Sequence, residues 1–523
     1  MAELSLAELA TRGFALRVLG DGGVRVRGIK HDSRRCEAGD LFVAVAGASS
    51  DGADHIADAV KRGAVAILAE RPLPAASVPV LLAKDALLSL ARIARELYDD
   101  PSAPLTVVGV TGTNGKTTIT YLVEALLQAD GEKPAVIGTV NFRGPGGILP
   151  ATHTTPMADD MMRLCRWAVD TGASHLVLEV SSHALAMYRA DGVHFDVAAF
   201  TNLTQDHLDY HGDFAHYEAA KRRLFTDLAP RWSVINVDDP RGRALADSLA
   251  GRVAPDGRDP SDDYRSPALR GGSPQVLRCS KRPGGGAQVS ALTYVSDRNG
   301  IAAEVDTPQG IVNLKSPLIG EHNLENLLIA IGCGLALGIA PDVLQSALTK
   351  AQGAPGRLER VEHPEDVLVF VDYAHTPDGL RKVLAALRPN TQGRLIALFG
   401  AGGDRDPTKR PVMGQVAAEL ADVLVLTSDN PRSEAPEKIL EAIEAGVQAT
   451  GCPKLTAAEL HAAKRGYVSL PDRRAAIRLA VSAAQAGDTL LLAGKGHEKV
   501  QIIGDKRLPF DDVVEARAAI GGA

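Results

Sequence analysis

Short apolar runs alternate along most of the chain with segments whose apolar residues recur every three or four positions. Many of these runs lead directly into glycine or charged residues, as in VVGV, LVLEV, VAAF, LIALFG, DVLVLTS and DTLLLAG. Buried runs of this kind, separated by helix-like segments, indicate strands of a parallel sheet with helices on its faces. We therefore predict an α/β fold that binds its ligands at the carboxyl ends of the strands.

The length of the chain and the positions of two prolines divide this pattern into three parts. At roughly 150 residues per domain, a chain of 523 residues is expected to form about three domains. Pro101 and Pro104 mark the first boundary. We predict a small N-terminal α/β domain over residues 1–101, a central domain with a mostly parallel sheet over 102–352, and a C-terminal Rossmann-like α/β domain over 353–523.

Two irregular stretches interrupt the predicted elements. Residues 251–287 are rich in proline, glycine, serine and charge without periodicity, which indicates a surface excursion. Three strand-like segments after it predict a small antiparallel patch. In the first domain, residues 31–34 and 49–52 each follow a predicted strand and are expected to face one crevice, although ordinary turns would give the same pattern.

The stretch TVVGVTGTNGKTTITY, residues 106–121, carries the strongest chemical signal. A strand, a glycine loop and a helix start surround phosphate oxygens with amide groups, a lysine adds positive charge, and a threonine hydroxyl can bind Mg²⁺. Val110 stands where the strict pattern has glycine, which is at Gly109 instead, so a variant loop is predicted. We expect ATP to contact Gly112, Thr113, Asn114, Gly115, Lys116, Thr117 and Thr118.

Two charged residues lie in apolar surroundings. Glu179 interrupts the buried run 176–180, and a buried carboxylate needs a cation or hydrogen bonds to offset its lost hydration. With Lys116 and Thr117 upstream, Mg²⁺ coordination is favoured over a core hydrogen bond. Lys221 shares a helix face with Tyr217, so its side chain must reach the surface, pair with an acid or lose its charge.

Further polar clusters follow later strands. Asp206, His207, Asp209 and His211 crowd one loop, which suggests a second metal position, although loops are commonly polar. Asn323 and Asn326 are three positions apart on a predicted helix, either as core caps or as adenine contacts. In the third domain, three loops should share one crevice whose arginines and acids suit a zwitterionic ligand: Arg405, residues 429–432 and residues 494–498.

Composition excludes several classes of protein. The net charge of −7, from 57 basic and 64 acidic residues, provides no basic surface for nucleic acid. The five cysteines form no CxxC pair, so we expect reduced, structural thiols. The N-terminus lacks the pattern of a signal peptide, and there is no apolar run of about 18 residues. We therefore expect a cytoplasmic protein without a membrane contact.

The chain also contains, in this order, the motifs TGTNGKTT, EVSSH, FTNLTQDHLDYHG, YEAAKRRLF, LIGEHNLEN, GRLE and DYAHTP. Over nearly its whole length this series resembles the Mur ligases of bacterial cell-wall synthesis. The segments DSRR, LFVAVAG, HTTP, FGAGGDRD, DNPR and AGKGHE are similar to the members that extend UDP-N-acetylmuramoyl-L-alanyl-D-glutamate by its third peptide residue.

The DNPR tetrapeptide, residues 429–432, indicates which amino acid is added. It resembles the form that selects meso-2,6-diaminopimelate, whereas members that add lysine lack this arginine. Diaminopimelate carries a second carboxylate that lysine lacks, and a guanidinium can bind it with two parallel hydrogen bonds. Two departures from some relatives are residues 48–50 and Met187, both near the expected UDP-sugar contacts.

The resemblance implies an ATP-dependent, ADP-forming ligase of peptidoglycan precursor synthesis that works through an acyl phosphate and requires Mg²⁺. It implies that the three domains bind the UDP-sugar, ATP and the amino acid respectively, and we expect a monomer. The implied catalytic residues are Lys116, Glu179, His207 and Lys221. The implied magnesium ligands are Thr117 with Glu179, and His207 with Lys221 as a carbamate (N6-carboxylysine).

The resemblance also implies the remaining binding residues. ATP would contact, besides the glycine loop, Asn323 and Asn326 at adenine, Arg357 at the phosphates and Asp372 at the ribose. The UDP-sugar peptide would contact Ser33, Thr154, Thr155, Ser181 and Arg189. Diaminopimelate would contact Arg405, Asp429, Asn430, Pro431, Arg432, Gly494 and Glu498.

Three other functions fit the residues of this chain less well. A sister ligase that adds D-alanyl-D-alanine lacks the combination of GGDRD and DNPR, and a folylpolyglutamate synthetase does not match the first domain. A regulatory protein that uses ATP as a switch would leave the inward Lys221 and the third-domain arginines unexplained.

Overall fold

A computed structural model describes residues 2–45, 47, 51–74, 76–204, 206–250 and 275–522. The chain forms two compact units. The first unit consists of Met1–Leu292, Glu304–Asn313 and Glu325–Leu348, and the second of Thr293–Ala303, Leu314–Leu324 and Thr349–Ala523. The predicted domain boundaries after residues 101 and 352 stay predictions. Of the predicted surface excursion, residues 251–274 lie outside the described residues, as do residues 48–50.

The N-terminal part of the first unit contains a five-stranded sheet of order β2-β7-β6-β5-β4, in which β4 to β7 are parallel. Its strands β5 and β6 are entirely buried, as the apolar runs predict. The elements are β1 Leu4–Ser5, α1 Leu6–Thr11, β2 Arg17–Leu19, β3 Arg25–Val26, β4 Gly28–Lys30, β5 Asp40–Val43, α2 Ile56–Arg62, β6 Ala66–Ala69, β7 Val80–Leu82 and α3 Ala86–Leu97.

The glycine loop follows the middle strand of a larger sheet, in which eight strands have the order β11-β10-β9-β12-β8-β13-β14-β15. The six strands from β9 to β15 in this order are parallel, so their carboxyl ends meet at one edge. The strands are β8 Thr106–Thr111, β9 Pro134–Ile137, β10 Asn141–Gly144, β11 Gly147–Pro150, β12 His175–Glu179, β13 Val197–Phe200, β14 Trp232–Asn236 and β15 Gln275–Ser280.

Helices connect these strands and cover them with apolar side chains. The helices are α4 Lys116–Ala129, α5 Ala158–Asp170, α6 Ser182–Ala186, α7 Leu208–His211, α8 Phe214–Thr226 and α9 Pro240–Leu249. The three strand-like segments after the excursion are strands, and two helices follow them. These elements are β16 Val289–Asp297, β17 Gly300–Asp306, β18 Val312–Ser316, α10 Glu321–Ala336 and α11 Pro341–Lys350.

The second unit contains a six-stranded sheet of order β19-β20-β24-β21-β22-β23, in which all strands but β19 are parallel. Apolar clusters cover both faces, which confirms the predicted parallel sheet. The elements are β19 Glu359–Val361, β20 Leu368–Asp372, α12 Pro377–Leu387, β21 Leu395–Phe399, α13 Lys409–Leu420, β22 Val423–Leu426, α14 Pro436–Gln448, β23 Gly466–Ser469, α15 Arg473–Ala483, β24 Thr489–Ala493, β25 Val500–Ile503, β26 Lys506–Pro509 and α16 Asp512–Gly521.

The cysteines agree with one expectation from the sequence. All five cysteines are unpaired and buried, and burial raises the pKa of the Cys165 and Cys333 thiols to about 12. A thiol with so high a pKa stays protonated and unreactive near neutral pH. Among the described residues, no helix has the length and apolar character needed to cross a membrane.

Candidate active site

The glycine loop, residues 112–115, joins β8 to α4 as predicted. Gly112 and Gly115 have φ values of +144° and +88°, in the region that favours glycine. A side-chain carbon on Gly112 would lie 1.8 Å from Thr201 Oγ1. Lys116 Nζ donates to the carbonyl oxygens of Gly112 and Thr113, at 2.8 and 2.9 Å. The lysine therefore lies along the loop, at the amino end of the helix.

The end of β13 holds this loop in place. The amide of Thr113 donates to Asn202 O at 2.8 Å, and the amide of Asn114 donates to Asn202 Oδ1 at 3.0 Å. Thr201 Oγ1 donates to Asn114 O at 2.5 Å. Thr113 Oγ1 is also hydrogen-bonded to the hydroxyl of Tyr217 at 2.9 Å. The loop conformation thus depends on a neighbouring strand and on α8 as well as on its own glycines.

Gly112→Ala should abolish ATP binding, because its new methyl group would collide with Thr201 in a loop that cannot move away. Gly131→Ala is the matched control, since Gly131 also has positive φ, +85°, but open space around it. The backbone cost at either site is about 1–2 kcal/mol, so only the Gly112 variant adds a steric clash. Equilibrium binding of ATP and thermal unfolding of both variants provide the measurement. Equal behaviour of the two would contradict a rigid loop.

Glu179 ends β12, beside β8, and only 1% of its surface is exposed. Its Oε2 accepts hydrogen bonds from Thr117 Oγ1 at 2.9 Å and Thr139 Oγ1 at 3.0 Å, and its Oε1 accepts one from the amide of Thr139 at 2.8 Å. Among the described residues, no ion pair involves Glu179. A buried carboxylate with neighbouring hydroxyl oxygens, and without an ion-pair partner in that part of the chain, suits a hard cation such as Mg²⁺.

Lys221 lies on the buried face of α8, as predicted, with 2% of its surface exposed. Its Nζ donates to Gly112 O at 2.9 Å and lies 4.7 Å from the centre of the Tyr217 ring. Burial, followed by repulsion from Lys116, lowers the pKa of Lys221 well below its usual value, against a weaker opposing effect of Asp206. Of the three outcomes expected for this lysine, the structure favours loss of its charge.

Histidine rings also lie close to the Tyr217 ring. The ring centres of His207 and His211 lie 6.2 and 5.3 Å from that of Tyr217, and His183 lies 4.8 Å from His207. Burial, with repulsion from the other two histidines, lowers the pKa of His183 to about 4. His207 and Lys221, the predicted ligands of a second Mg²⁺, thus contact the same aromatic ring, and His207 has the positive φ of +53°.

One histidine–carboxylate group lies elsewhere. Within the described ranges, the only His, Cys, Asp and Glu side chains with three ligand atoms within 4.8 Å of one another are His31, Asp159 and Asp160. Their charges are already compensated. His31 Nδ1 lies 2.8 Å from both carboxylate oxygens of Asp159, and Arg35 donates to both oxygens of Asp160 at 2.6 and 2.7 Å. We interpret this group as an ion-pair cluster that links β4 to α5.

Four of the five residues predicted to contact the UDP-sugar peptide lie together beside Glu179. Thr155 Oγ1 donates to Glu179 O at 2.7 Å and accepts from the amide of Ser181 at 3.1 Å. Arg189 Nη1 donates to Thr155 O at 3.1 Å, and Thr154 Oγ1 is 3.0 Å from Thr139 Oγ1.

The remaining one, Ser33, is buried in a short 3₁₀ turn, Ser33–Arg35, which the ion pair of Arg35 and Asp160 attaches to α5. Met187, which replaces glutamine of some relatives, has its sulfur 3.1 Å from Arg189 Nη2. The departure from those relatives therefore concerns a direct neighbour of a predicted binding residue.

A cavity of about 470 Å³ opens beside the glycine loop. Asn202, which holds the loop, lines it together with Asn236, Lys281 and Glu325, and Lys281 pairs with Glu325 at 2.9 Å. Asn326 follows Glu325 on α10, and a side-chain carbon on Gly115 would lie 2.4 Å from its Oδ1. The cavity has the size of a small-molecule site and is lined by polar groups.

The two asparagines predicted to contact adenine have different surroundings. Asn326 packs against the glycine loop of the first unit. Asn323 belongs to the second unit and is 4% exposed, and its Nδ2 donates to Ile319 O at 2.9 Å. The side chain thus donates to the carbonyl four positions earlier, and both the helix cap and the adenine contact stay predictions for Asn323.

In the second unit, the carboxyl end of β20 positions Asp372. Its Oδ2 accepts from the amide of Leu358 at 2.8 Å, and its Oδ1 accepts from the amide of Ala374 at 2.8 Å. Burial raises the pKa of Asp372, while Arg357 opposes this effect. The Arg357 guanidinium lies 5.0 Å from the centre of the Tyr373 ring. The two residues predicted to contact ribose and phosphate are therefore neighbours.

The loops after β21 and β22 bring Arg405 and Arg432 together. A side-chain carbon on Gly402 would lie 2.9 Å from Arg432 Nη1 and 3.6 Å from Arg405 Cγ, so both arginines flank this glycine. Arg432 has φ +52°, and its Nη1 donates to Gly403 O at 2.7 Å. A side-chain carbon on Gly403 would meet the carbonyl of Pro431 at 1.8 Å, so the two loops are in close backbone contact.

The loop after β24 contributes the acids and amides of the same crevice. Asn430 Nδ2 donates to Glu498 Oε2 at 2.8 Å. Gly494 has φ +111°, and a side-chain carbon there would lie 3.7 Å from Asp429 Oδ2. The structure thus brings the predicted amino-acid residues of three loops to one edge of the sheet, as parallel strands require.

Sequence reasoning missed two residues of these sites. Thr139 bridges Glu179 and Thr154, but a threonine after a short strand is unremarkable until the strand order places β9 beside β12. Lys495 is fully buried between Asn430 and Glu498, and the motif AGKGHE could have indicated it, since a lysine rarely follows an apolar strand without a partner.

These features together are typical of an α/β enzyme with a nucleotide-type phosphate loop, and the second unit contains a cluster of loops that hold arginines and acids. Comparisons with known proteins agree. Three family models match in succession: Mur ligase family, catalytic domain, at residues 25–98; Mur ligase middle domain at 110–334; and Mur ligase, glutamate ligase domain, at 356–496. The chain belongs to the Mur ligase family.

Two similar curated proteins carry the name UDP-N-acetylmuramoyl-L-alanyl-D-glutamate–2,6-diaminopimelate ligase. The one from Geobacter metallireducens is 42% identical over 513 residues, 96% of this chain and 95% of the relative. The one from Gloeobacter violaceus is 42% identical over 525 residues, 99% of each. A solved structure of a ligase with this name has a TM-score of 0.69 and 32% identity, and the match covers 100% of this chain and 99% of that one.

A more distant solved structure, the MurF ligase of Thermotoga maritima in complex with ADP, has a TM-score of 0.57 and 19% identity. This match covers 95% of this chain and 97% of that chain, and it supports the fold alone.

Proposed function

We propose that this chain is an ATP-dependent ligase that joins meso-2,6-diaminopimelate to UDP-N-acetylmuramoyl-L-alanyl-D-glutamate. The observation that carries the proposal is that Arg405 and Arg432 both lie within 4 Å of the position of a side-chain carbon on Gly402, in the loop cluster that also holds the hydrogen-bonded Asn430 and Glu498. Two cations beside an amide and an acid suit an amino acid with an additional carboxylate. The names of the similar ligases support the same substrates.

The reaction has two balanced steps. A γ-carboxylate oxygen of the D-glutamyl residue attacks the γ-phosphorus of ATP, the bond to the β-phosphate oxygen breaks, and ADP leaves. A neutral amine of diaminopimelate then attacks the acyl carbon, phosphate leaves, and the nitrogen loses one proton to give the amide. Negative charge accumulates around the transferring phosphoryl group in the first step, so cations and amide groups should surround it.

The glycine loop would bind the phosphates of ATP through its amide groups, with Lys116 as the adjacent positive charge. Thr117 and Glu179 would hold one Mg²⁺, because they offer a hydroxyl and a buried carboxylate without an ion-pair partner among the described residues. When bound, this ion neutralises phosphate charge and orients the phosphoryl group. The cavity beside Asn202 and Asn326 would take the nucleoside, and Arg357 and Asp372 would contact phosphate and ribose.

Lys221 would act as a carbamate. Its neutral amine can attack CO₂, which forms a nitrogen–carbon bond and releases one proton from the nitrogen to solvent. The remaining N–H could still donate to Gly112 O, where Nζ donates now. The product would carry one negative charge shared by two oxygens near the Tyr217 ring, which His207 also approaches, and these groups would hold a second Mg²⁺.

Thr154, Thr155, Ser181 and Arg189 would bind the UDP-sugar peptide beside Glu179, with Ser33 at the nucleotide end. We further propose the domain boundaries after residues 101 and 352, a monomeric state, and action in the cytoplasm, where ATP and the nucleotide precursor are made available. The cell-wall precursor role follows from the substrates.

Release of phosphate from ATP tests the function. Purified protein with Mg²⁺ should release phosphate only when both UDP-N-acetylmuramoyl-L-alanyl-D-glutamate and diaminopimelate are present, because the acyl phosphate is consumed only by the amine. At matched concentration, lysine should give a rate lower by about 10²-fold or more, since it leaves the arginines without their carboxylate. Phosphate release that is indifferent to the amino acid would contradict a ligase, and a preference for lysine would contradict the proposed substrate.

A further inference from the structure

Lys495 is the most deeply buried cation of the amino-acid crevice, with no exposed surface. Its Nζ lies 3.1 Å from Asn430 Oδ1, 3.3 Å from Glu498 Oε2 and 3.7 Å from Asp429 Oδ1. The ammonium group donates hydrogen bonds to the first two of these oxygens, and Asp429 Oδ1 lies at ion-pair distance. No proposed step of the reaction uses this lysine, and its side chain does not reach the surface.

The partners of Lys495 are themselves residues proposed to bind the amino acid. Asn430 Oδ1 accepts from Lys495 and from the amide of Ile502 at 3.0 Å, while its Nδ2 donates to Glu498 Oε2 at 2.8 Å. Both acceptor positions of the amide oxygen and one of the two N–H donors are therefore assigned, and Lys495 closes the ring by contacting Glu498 as well. Asn430 is 4% exposed, whereas 31% of the Glu498 side chain is exposed toward the crevice opening.

The backbone of the two loops has separate support. The guanidinium of Arg473, which pairs with Asp512 at 2.6 Å, donates to Ser428 O at 3.3 Å and to Ala493 O at 3.0 Å. These carbonyls directly precede Asp429 and Gly494. Because Arg473 holds the loop starts, the contacts of Lys495 concern the side chains of Asn430 and Glu498 and the charge around them.

The geometry points to Lys495 as the positioning residue of the amino-acid subsite, a role that rests on the proposed function. It fixes Asn430 and Glu498 in one orientation and compensates one of the two negative charges of Asp429 and Glu498. The pair of acids with one lysine leaves one negative charge, which attracts a substrate ammonium. Without the lysine, two acids would repel each other and move apart.

Lys495→Met should raise the KM for diaminopimelate by at least about 10-fold and leave the KM for ATP and for the UDP-sugar peptide within about twofold. Methionine keeps the length and apolar stem of the side chain but removes its charge and donors. Lys499→Met is the matched control, because Lys499 is 61% exposed, lies four positions later and pairs with Asp511 on the surface. It should leave all three KM values unchanged. A loss shared equally by the three substrates of the Lys495 variant would overturn the inference.

A double-mutant comparison separates positioning from general damage to the fold. Glu498→Gln removes the acid that Lys495 compensates, so Lys495→Met should cost less in that background than in the unmodified chain. Equal costs in the two backgrounds would show that Lys495 does not act through Glu498. If the single variant does not fold, Glu498→Gln is compared with Lys495→Met/Glu498→Gln. The double variant should still show a KM at least about threefold higher, through Asn430, and equal values would overturn the inference.

The unmodified enzyme distinguishes this inference from the proposed function. If it ligates another amino acid in place of diaminopimelate, the proposed substrate is wrong, and the same KM comparison with that amino acid still tests Lys495. If it ligates diaminopimelate and Lys495→Met leaves its KM unchanged, the positioning role alone fails.

Discussion

Lys221→Ala is expected to reduce turnover by at least about 10³-fold. The lysine is buried, burial and repulsion from Lys116 lower its pKa and so favour the uncharged amine, and it lies beside the glycine loop and Tyr217. A neutral amine in this position has no obvious structural advantage over an apolar side chain. The proposed conversion to a carbamate would give this lysine a function, since the product would carry one negative charge on two oxygens close to the glycine loop.

The carbamate hypothesis predicts a second result for the same variant, which is partial rescue by added carboxylates. Short carboxylates such as formate or acetate should restore part of the activity of Lys221→Ala, because they place two oxygens in the space that the side chain leaves. Arg222→Ala is the matched control from the same helix, since Arg222 contacts Ser248 away from the loop. Its turnover should remain within about twofold, and carboxylates should not change it. Circular dichroism checks that both variants are folded.

Two outcomes would argue against this role. Full activity of the alanine variant would exclude any function of Lys221 in turnover. Loss of activity without rescue by carboxylates would indicate that the hydrogen bond to Gly112 matters and the carbamate does not. A direct test uses ¹³C-bicarbonate, which should produce a carbamate resonance in the unmodified protein at neutral pH and none in Lys221→Ala.

The alternation of apolar and helix-like segments was enough to predict the α/β class and both parallel sheets. Strands such as β8, β12 and β24 are buried over nearly their whole length, and their inner residues, 107–110, 176–178 and 490–492, are all apolar or glycine, so the pattern is unambiguous. The order of the strands in each sheet could not be predicted from this pattern. That β12 lies between β8 and β9 depends on long-range packing, and no local pattern encodes it.

The same distinction between local pattern and long-range packing applies to the predicted site residues. Glu179 and Lys221 could be found from sequence because a charged residue in an apolar run must be compensated. Their partners could not, because Thr139 and Tyr217 have side chains that are ordinary in a loop and on a helix face. Lys495 was missed although its motif was noted, since the burial of the lysine follows from three loops that meet only in the folded sheet.

Arg432 has a backbone conformation that ordinary residues avoid, with φ +52°. The hairpin of β25 and β26 holds it there, because the amide of Arg432 donates to Ile502 O at 3.1 Å and the amide of Gly504 donates to Arg432 O at 2.7 Å. Such strain costs of order 1–3 kcal/mol and is most often found at functional sites. The strained backbone directs the guanidinium toward Gly402 and Gly403, beside Arg405.

Arg432→Ala should therefore lower kcat/KM for diaminopimelate by about 10²-fold, equivalent to about 2.7 kcal/mol, and leave the KM for ATP within about twofold. The variant loses the guanidinium whose two parallel N–H donors would bind the second carboxylate, so its preference for diaminopimelate over lysine should fall by a similar factor. Arg432→Lys retains the positive charge, so its kcat/KM for diaminopimelate should lie between those of Arg432→Ala and the unmodified chain. Arg474→Ala, which removes a surface ion pair with Glu515, is the matched control and should behave like the unmodified chain. If Arg432→Ala weakens ATP and diaminopimelate equally, or keeps the full preference over lysine, the arginine supports the loop and does not select the substrate.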